Sequence, residues 1–243
     1  MKKSLESNKK KIVLFGSTNI AKKCLQHLIK NLNYYSIYVV TDKNYNDKDQ
    51  VYQFCKKKKI KIITLEKISR SRQLFEYGFS IRFHKIFSRN IINKFKKGII
   101  NMHGGPLPYY RGTSNHIHAI INNEKTFGVS LHFVDTKIDN GKVIKVKKFK
   151  INSYDTGYTI LKKTYDYGFL LFSDLIKKIK FEIKIKSYDQ NTKYKMYKKK
   201  DLEKYKNVKI LKLKKKQLIN LLRAFYHPKK ESFNFTKTNH KLI

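Results

Sequence analysis

Short β-type apolar runs alternate with stretches of helical periodicity along the first hundred residues, and that alternation limits the fold more than any other feature. From Lys11 the chain reads KIVLF, then a turn Gly16-Ser17-Thr18-Asn19, then an amphipathic run from Ile20 to Leu32. IYVVT follows at 37–41, then a polar turn, helical periodicity over 48–58 and a short strand near IKIITL at 60–65. Repetition of this kind predicts a parallel sheet wound with helices, because parallel neighbours need a crossover and a helix supplies it. FEYGFSIRF at 75–83 leads to a helix predicted over 88–95, and KGIINM at 97–102 predicts a strand that carries Asn101 and His103 to its carboxyl end. Open α/β sheets bind their ligands beyond the carboxyl ends of strands.

The second half changes character. A helix is predicted from Ser114 to Asn122, then two β-type runs, 127–134 and 142–151, flank the segment DTKIDNG, so the sheet is expected to turn antiparallel or mixed there. Asp155-Thr156 reads as a helix start, and apolar periodicity from Gly157 to Ile179 predicts a long helix. From about 183 the composition becomes rich in Lys and Tyr, with one amphipathic piece at 214–228 closed by Pro228. The expected organisation is a main domain at 1–182 and a small C-terminal appendage at 183–243, with no internal repeat.

Charge has to be weighed against codon bias. The 243 residues carry 56 Lys+Arg against 17 Asp+Glu, a net charge of +39, which invites a nucleic-acid reading through counterion release. Only six of those cations are Arg, whose planar fork suits phosphate and base-edge recognition. Lys, Asn, Ile, Tyr and Phe are abundant while Ala, Gly and Pro are scarce and Trp is absent, a split that follows AT-rich codons. Most of the Lys therefore reads as solvated surface, with no dedicated nucleic-acid surface, although so positive a field attracts phosphorylated ligands. Cys24 and Cys55 form neither a disulfide framework nor a zinc spacing, no apolar run approaches the length of a membrane span, and the expectation is a metal-free cytoplasmic protein with a homodimer as an allowed assembly.

Against that bias the segment Asn101–Gly112, NMHGGPLPYYRG, stands out, since it holds three of the ten Gly and two of the three Pro. Such a loop needs special backbone angles and a stiff path, the usual requirements for positioning chemistry. Asn101 and His103 are two apart on an extended segment, so they share a face and can act on one substrate atom. An amide donates to a developing oxyanion, and an imidazole moves the proton that acyl transfer to an amine must relocate. The bland alternative is that Asn101 ties down the loop and His103 is a partly buried polar residue. Asp139, beside an Asn140-Gly141 pair that suits the positive φ of a hairpin turn, would orient the imidazole if it reached it; Asp135 competes for that role. GSTNIA lacks the spacing of a dinucleotide fingerprint, so Ser17 and Thr18 either hold an anionic group at the helix head or simply cap it. The Tyr/Lys run from Lys195 to Tyr205 could surround a nucleotide or be solvated chain. The remaining histidines show no metal-ligand spacing.

Taken together, NMHGGPLPYYRG, the segment GVSLHFVDTKIDNGKVI and the R-A-x-x-x-P element at Leu221–Pro228 resemble the formyltransferase family that uses 10-formyltetrahydrofolate. The resemblance covers residues 11–182 well and 195–228 loosely. It implies a Rossmann-like α/β formyltransferase fold, a mostly parallel twisted sheet with helices on both faces. It also implies that Asn101, His103 and Asp139 form a catalytic triad, with Asn101 and protonated His103 stabilising the oxyanion and Asp139 supporting the histidine. The folate co-substrate would lie against Ser80, Ile81, Arg82, Phe83 and Ile86 on one side and Val134, Lys137 and Ile138 on the other, largely through backbone groups. Ser17, Thr18, Gly105, Tyr110, Arg111 and Tyr197 are the expected contacts of the acceptor. HGGPLP departs from the H-x-S-L-L-P of many relatives, so the wall near Gly105-Pro106 is expected to differ in shape. The short C-terminal region is more like that of enzymes formylating nucleotide-linked amino sugars, dTDP- or UDP-linked, than the longer β-barrel behind methionyl-tRNA formyltransferases. The two alternatives are a methionyl-tRNA formyltransferase and a basic RNA-binding protein on an inactive scaffold.

Overall fold

A computed structural model describes residues 9–41, 49–191, 193–205 and 213–228. The first eight residues, the polar turn after Thr41 with the first residue of the helix predicted over 48–58, residue 192, and the parts of the C-terminal stretch at 206–212 and 229–243 lie outside the described residues.

Strand β1 (Lys11–Phe15) is buried along nearly its whole length, as a central parallel strand covered on both faces must be. In chain order there follow α1 (Asn19–Asn31), β2 (Ser36–Val40), α2 (Gln50–Lys58), β3 (Lys61–Ile62), α3 (Leu65–Arg70), β4 (Tyr77–Ile81), α4 (Arg89–Ile92), β5 (Ile99–His103), β6 (Arg111–Gly112), α5 (Asn115–Ile121), β7 (Thr126–Phe133), β8 (Val143–Lys150), α6 (Gly157–Lys180), β9 (Met196–Tyr197), a 3₁₀ turn at Lys199–Tyr205, and α7 (Lys215–Phe225). Seven strands form one sheet in the order β3-β2-β1-β4-β5-β7-β8. Its first five are parallel, while β5–β7 and β7–β8 pair antiparallel, the mixed second half that the sequence predicts.

Helices cover both faces. On one, α1 and α6 bury Leu25, Leu28, Phe172 and Ile176 against Phe79 and Val129; on the other, Ile68 of α3 and Ile91 of α4 join Phe15, Phe75 and Phe95. Phe172 is fully buried with its ring edge-on to Phe79 at 5.4 Å, so truncating it to Ala would cost about 3–5 kcal/mol.

Three elements differ from expectation for local reasons. The apolar segment at 75–83 forms a strand only from Tyr77 to Ile81, because Arg82 turns the chain at φ 56. The predicted helix at 88–95 is a single turn, capped by the Ser88 hydroxyl and unwound after Ile92. The strand near 60–65 is two residues long, because the Thr64 side chain caps α3 instead of extending it.

Residues beyond the boundary expected near 183 lean on the sheet. Tyr188 exchanges backbone hydrogen bonds with Val143, and β9 runs parallel to β6. Helix α7 seats Ala224 against Gly157, and Arg223 donates to the carbonyls of Asp155 (2.8 Å) and Asn152 (2.9 Å).

Candidate active site

Register does the first part of the assembly. Ser80 of β4 lies beside Asn101 of β5, and Asn101 lies opposite His132 of β7, so three polar side chains share one row near the carboxyl end of the parallel strands. Asn101 Nδ2 lies 3.1 Å from His132 Nε2, which also lies 3.5 Å from Asp139 Oδ1. His132 Nδ1 faces the carbonyl of Phe133 at 2.8 Å; a carbonyl only accepts, so Nδ1 carries a proton.

His103, two residues on, is 7% exposed. Its Nδ1 lies 3.3 Å from Asp139 Oδ1, and its Nε2 lies 2.6 Å from the Tyr110 carbonyl and 3.2 Å from Asn115 Nδ2. Burial pushes the imidazole below the ordinary histidine range, His132 and Arg82 add to that, and Asp139 only partly opposes it. The Tyr110 carbonyl, which accepts from Nε2, opposes the burial as well. Asp139 moves the opposite way for a carboxylate in a buried site. Burial would raise it, but His103, His132 and the Gly112 N–H together hold it well below the usual carboxylate range.

Asp135, the competitor, is engaged elsewhere: it accepts from the Lys137 N–H (2.9 Å) and from Asn140 Nδ2 (2.7 Å), closing the turn. The positive φ expected at Asn140-Gly141 falls on Asp139 itself, at φ 47. Gly141 is needed for a different reason, since a Cβ there would run into the Phe133 carbonyl.

These groups open into a cavity of about 450 Å³ that reaches from Asn101, His103 and Asp139 to Phe83, Ile86, Val134 and Ile138. Ser80, Arg82, Lys137 and His116 also line it, and burial followed by Arg82 lowers the His116 pKa to about 3. The Arg82 Nε is buried with no hydrogen-bond partner among the described residues, while its guanidinium carbon lies 5.8 Å from the Tyr165 ring centroid.

Several expected contacts lie elsewhere. Ile81 is 1% exposed with its side chain packed in the core, which leaves only the backbone contact that the family resemblance implies. Among the acceptor contacts, Ser17, Thr18, Gly105, Tyr110, Arg111 and Tyr197 do not line this cavity. Thr18 is the N-cap of α1 without a side-chain cap bond, and its buried Oγ1 has no partner among the described residues. Tyr110 donates from its hydroxyl to Glu124 at 2.8 Å and stacks on Tyr197 at 5.1 Å, and Arg111 donates to the Ile138 carbonyl at 2.8 Å. They brace the loop from behind. Gly105 does so more closely: Ser130 donates to its carbonyl (2.7 Å) and accepts from the Leu107 N–H (2.9 Å), and a Cβ on it would come within 2.8 Å of His103 Nε2.

His132, Ser130 and Asn115 are site residues that sequence reasoning missed. The available signal was GVSLH, where Ser130 and His132 alternate onto one face of a strand.

Among the described residues no group of three or more His, Cys, Asp or Glu side chains could hold a metal ion, and no helix is long and apolar enough to cross a membrane.

An open α/β sheet that delivers an amide, two imidazoles and a carboxylate to one cavity at its strand ends defines a protein equipped to hold an oxyanion and relocate a proton. The family model described as formyl transferase matches residues 10–176, and the chain belongs to that family. It is similar to the crystal structure of an N-formyltransferase from Helicobacter canadensis in complex with folinic acid and dTDP-3-aminofucose, with 31% identity over 89% of this chain and 80% of that one and a TM-score of 0.76. It also resembles methionyl-tRNA formyltransferases: 36% identity over 106 residues with that of Borrelia garinii subsp. bavariensis, covering 44% of this chain and 32% of that one, and 29% over 185 residues with that of Finegoldia magna, covering 70% and 58%. The chain thus spans less than two thirds of the length of either methionyl-tRNA relative.

Proposed function

We propose that the protein transfers a formyl group from 10-formyltetrahydrofolate to the amine of a nucleotide-linked amino sugar, dTDP- or UDP-linked. The observation that carries this reading is the convergence of Asn101, His103 and Asp139 on one cavity in a chain that follows an amino-sugar N-formyltransferase over 89% of its length. The methionyl-tRNA relatives keep an alternative acceptor, charged initiator tRNA, in the test.

The cavity suits a folate co-substrate. Phe83, Ile86, Val134 and Ile138 offer an apolar slot for a flat ring, and the orphaned Arg82 Nε offers a buried donor at its edge. Bound there, the co-substrate would supply an activated formyl group. The amide nitrogen of Asn101, 3.1 Å from His132 Nε2, has a hydrogen available to an oxygen that gains negative charge. His103 takes up the proton that the attacking amine loses and returns it to the nitrogen of tetrahydrofolate that leaves the formyl carbon. Asp139, ionised throughout, stabilises the imidazolium as it forms and keeps the ring from turning. His132 holds the amide of Asn101 in place. Carbonyl, amide and carboxylate are set before the reaction, so little reorganisation accompanies the developing charges.

Mass spectrometry of dTDP- and UDP-linked amino sugars incubated with the protein and 10-formyltetrahydrofolate, alongside charged initiator tRNA, tests the reading. Formyl addition to one nucleotide sugar is expected, and Asn101→Ala or His103→Ala should lower turnover by roughly 10²–10⁴-fold with the fold retained. Formylation of tRNA alone would transfer the assignment to that acceptor. Steeply salt-dependent RNA binding without any transfer would support the inactive-scaffold alternative.

A further inference from the structure

We propose that Arg82 is a specificity-determining residue whose guanidinium takes an anionic group of the acceptor, a phosphate or a carboxylate, beside the transfer centre. The proposal deepens the formyl-transfer reading and rests on it for what else that ligand carries.

Arg82 follows β4 at φ 56, a left-handed position that suits glycine and that an arginine holds at a cost. Strain of this kind clusters at sites that use it. Here the turn sends neighbouring side chains to opposite faces of the sheet. Phe83 goes to the face of α3 and α4, its ring centroid 5.5 Å from those of Phe15 and Phe87. Arg82 goes to the face of α6, its guanidinium carbon 5.8 Å from the Tyr165 ring centroid. The cavity is divided in the same way, with an apolar slot at Phe83, Ile86 and Val134 and a polar wall at Arg82, Thr164 and Tyr165. A flat ring in the slot leaves the polar wall to the acceptor.

On that wall the guanidinium has no counter-ion. The carboxylates lining the cavity are Asp135 and Asp139, and both are spent. Asp139 serves His103, His132 and the Gly112 N–H, while Asp135 serves the Lys137 N–H and Asn140. Among the described residues no carboxylate stands within ion-pair distance of Arg82, and its buried Nε has no hydrogen-bond partner. A guanidinium does not lose its proton, so it cannot shed its charge to escape the cost of burial. The Tyr165 ring steadies the fork and accepts none of its in-plane N–H bonds. An oxyanion group from a ligand does, and the planar fork matches phosphate and carboxylate alike. Seated there, the anion would also cancel the repulsion that Arg82 exerts on a His103 imidazolium. A nucleotide diphosphate and a carboxylate on the sugar are the two sources of that chemistry.

The test is isothermal titration calorimetry of the full chain with dTDP against thymidine, UDP-glucuronic acid against UDP-glucose, and folinic acid as the probe of the slot. Arg82→Gln keeps a neutral N–H donor for the edge of the slot and removes the charge. It should weaken the anion-bearing ligand by roughly 10–100-fold, the worth of a charge-assisted bond, and folinic acid by less than about threefold. Arg82→Lys should recover part of the loss. A loss on dTDP assigns the phosphate, and a loss confined to the preference for UDP-glucuronic acid over UDP-glucose assigns the carboxylate. Unchanged binding of every ligand in a folded Arg82→Gln variant would overturn the proposal, as would an equal or larger loss on folinic acid. So would a parent protein that prefers neither dTDP to thymidine nor UDP-glucuronic acid to UDP-glucose, a result that decides the matter even if the variant does not fold. Because calorimetry needs no turnover, a protein that formylates no acceptor but loses the anion with Arg82→Gln would refute the transfer reading and leave this site standing.

Discussion

The backbone N–H of Gly112 donates to Oδ2 of Asp139 at 2.8 Å, which ties that carboxylate to the far end of the Gly/Pro loop. Gly112 belongs to β6, whose partner β9 comes from the C-terminal region. From the same region Gln190 donates to the carbonyls of Asp139 (3.1 Å) and Gly141 (2.6 Å). Asp139, held at φ 47, is thus gripped through both its side chain and its backbone, and such grip is what keeps a non-glycine residue in the left-handed region.

Exchange of the two neighbouring acids should separate their roles. Asp139→Asn removes the charge that stabilises the His103 imidazolium and should lower kcat by roughly 10²–10⁴-fold. Asp135→Asn loses one of two turn bonds, costing about 1 kcal/mol of stability and leaving turnover close to the parent's. Steady-state kinetics with urea unfolding on both variants checks this, and the reverse ranking would reassign the acid.

Adjacent glycines should also respond differently. A Cβ at Gly105 would stand 2.5 Å from the Tyr110 carbonyl oxygen and 2.8 Å from His103 Nε2, so Gly105→Ala disturbs both partners of that hydrogen bond and should cost about 10²-fold in kcat. At Gly104 the nearest atom to a new Cβ is Thr164 Oγ1 at 3.9 Å, an ordinary contact, and Gly104→Ala should be tolerated. Equal losses in the two variants would show that the loop needs glycine for its path and not for the histidine.

How much of this could be read beforehand depended on the kind of constraint. The parallel half of the sheet was legible because KIVLF, IYVVT and KGIINM carry their periodicity locally, and the Gly/Pro loop because those residue types are scarce elsewhere. The pairing of Asp139 with His103 was legible only through the family resemblance and not in the spacing, since it depends on the β5–β7 register and on the Phe133 carbonyl crowding Gly141. Tyr110, Arg111 and Tyr197 read as acceptor contacts through the family resemblance, which does not show how each side chain packs. Here they are drawn inward by Glu124, the Ile138 carbonyl and each other. His132 was hidden by the plainness of its setting, one of a few polar residues in a mostly apolar strand.

Stability should fall as the solution is acidified from neutrality. Burial lowers the His118 pKa to about 4, with Asp201 partly opposing, and burial followed by Arg82 lowers that of His116 to about 3. An unfolded chain protonates these rings below about pH 6.5 while the fold does not, so the unfolded state binds more protons and gains on the native one throughout that window. Asp139, depressed in the fold, adds a contribution that is present above about pH 3.9 and lost as pH falls through its folded value. Urea midpoints at about pH 7 and about pH 4.5 measure the drop. His118→Phe keeps a ring on Tyr197, where the His118 centroid lies at 4.4 Å, and should make the drop smaller. An unchanged drop would place the acid sensitivity in other groups.

Tyr197 offers the sharpest distinction between bracing and binding. Its carbonyl accepts from the Thr113 N–H at 2.9 Å, its hydroxyl accepts from Asn122 at 3.0 Å, and its ring lies parallel to Tyr110 within 9°. These contacts run to the end of the Gly/Pro loop and to α5, which follows it. Tyr197→Ala should therefore cost about 2 kcal/mol of stability and reduce kcat, because the β6 strand that carries the Gly112 N–H loses the ring packed behind it. Tyr197→Phe keeps the stack and gives up one half-exposed hydrogen bond, so it should be nearly neutral in both respects. A residue that touched the nucleotide sugar would behave otherwise, with KM for the acceptor rising while stability and kcat held. That pattern in Tyr197→Ala would return the tyrosine to the acceptor site and leave the bracing of Asp139 to Gln190 and the β6–β9 backbone pairing.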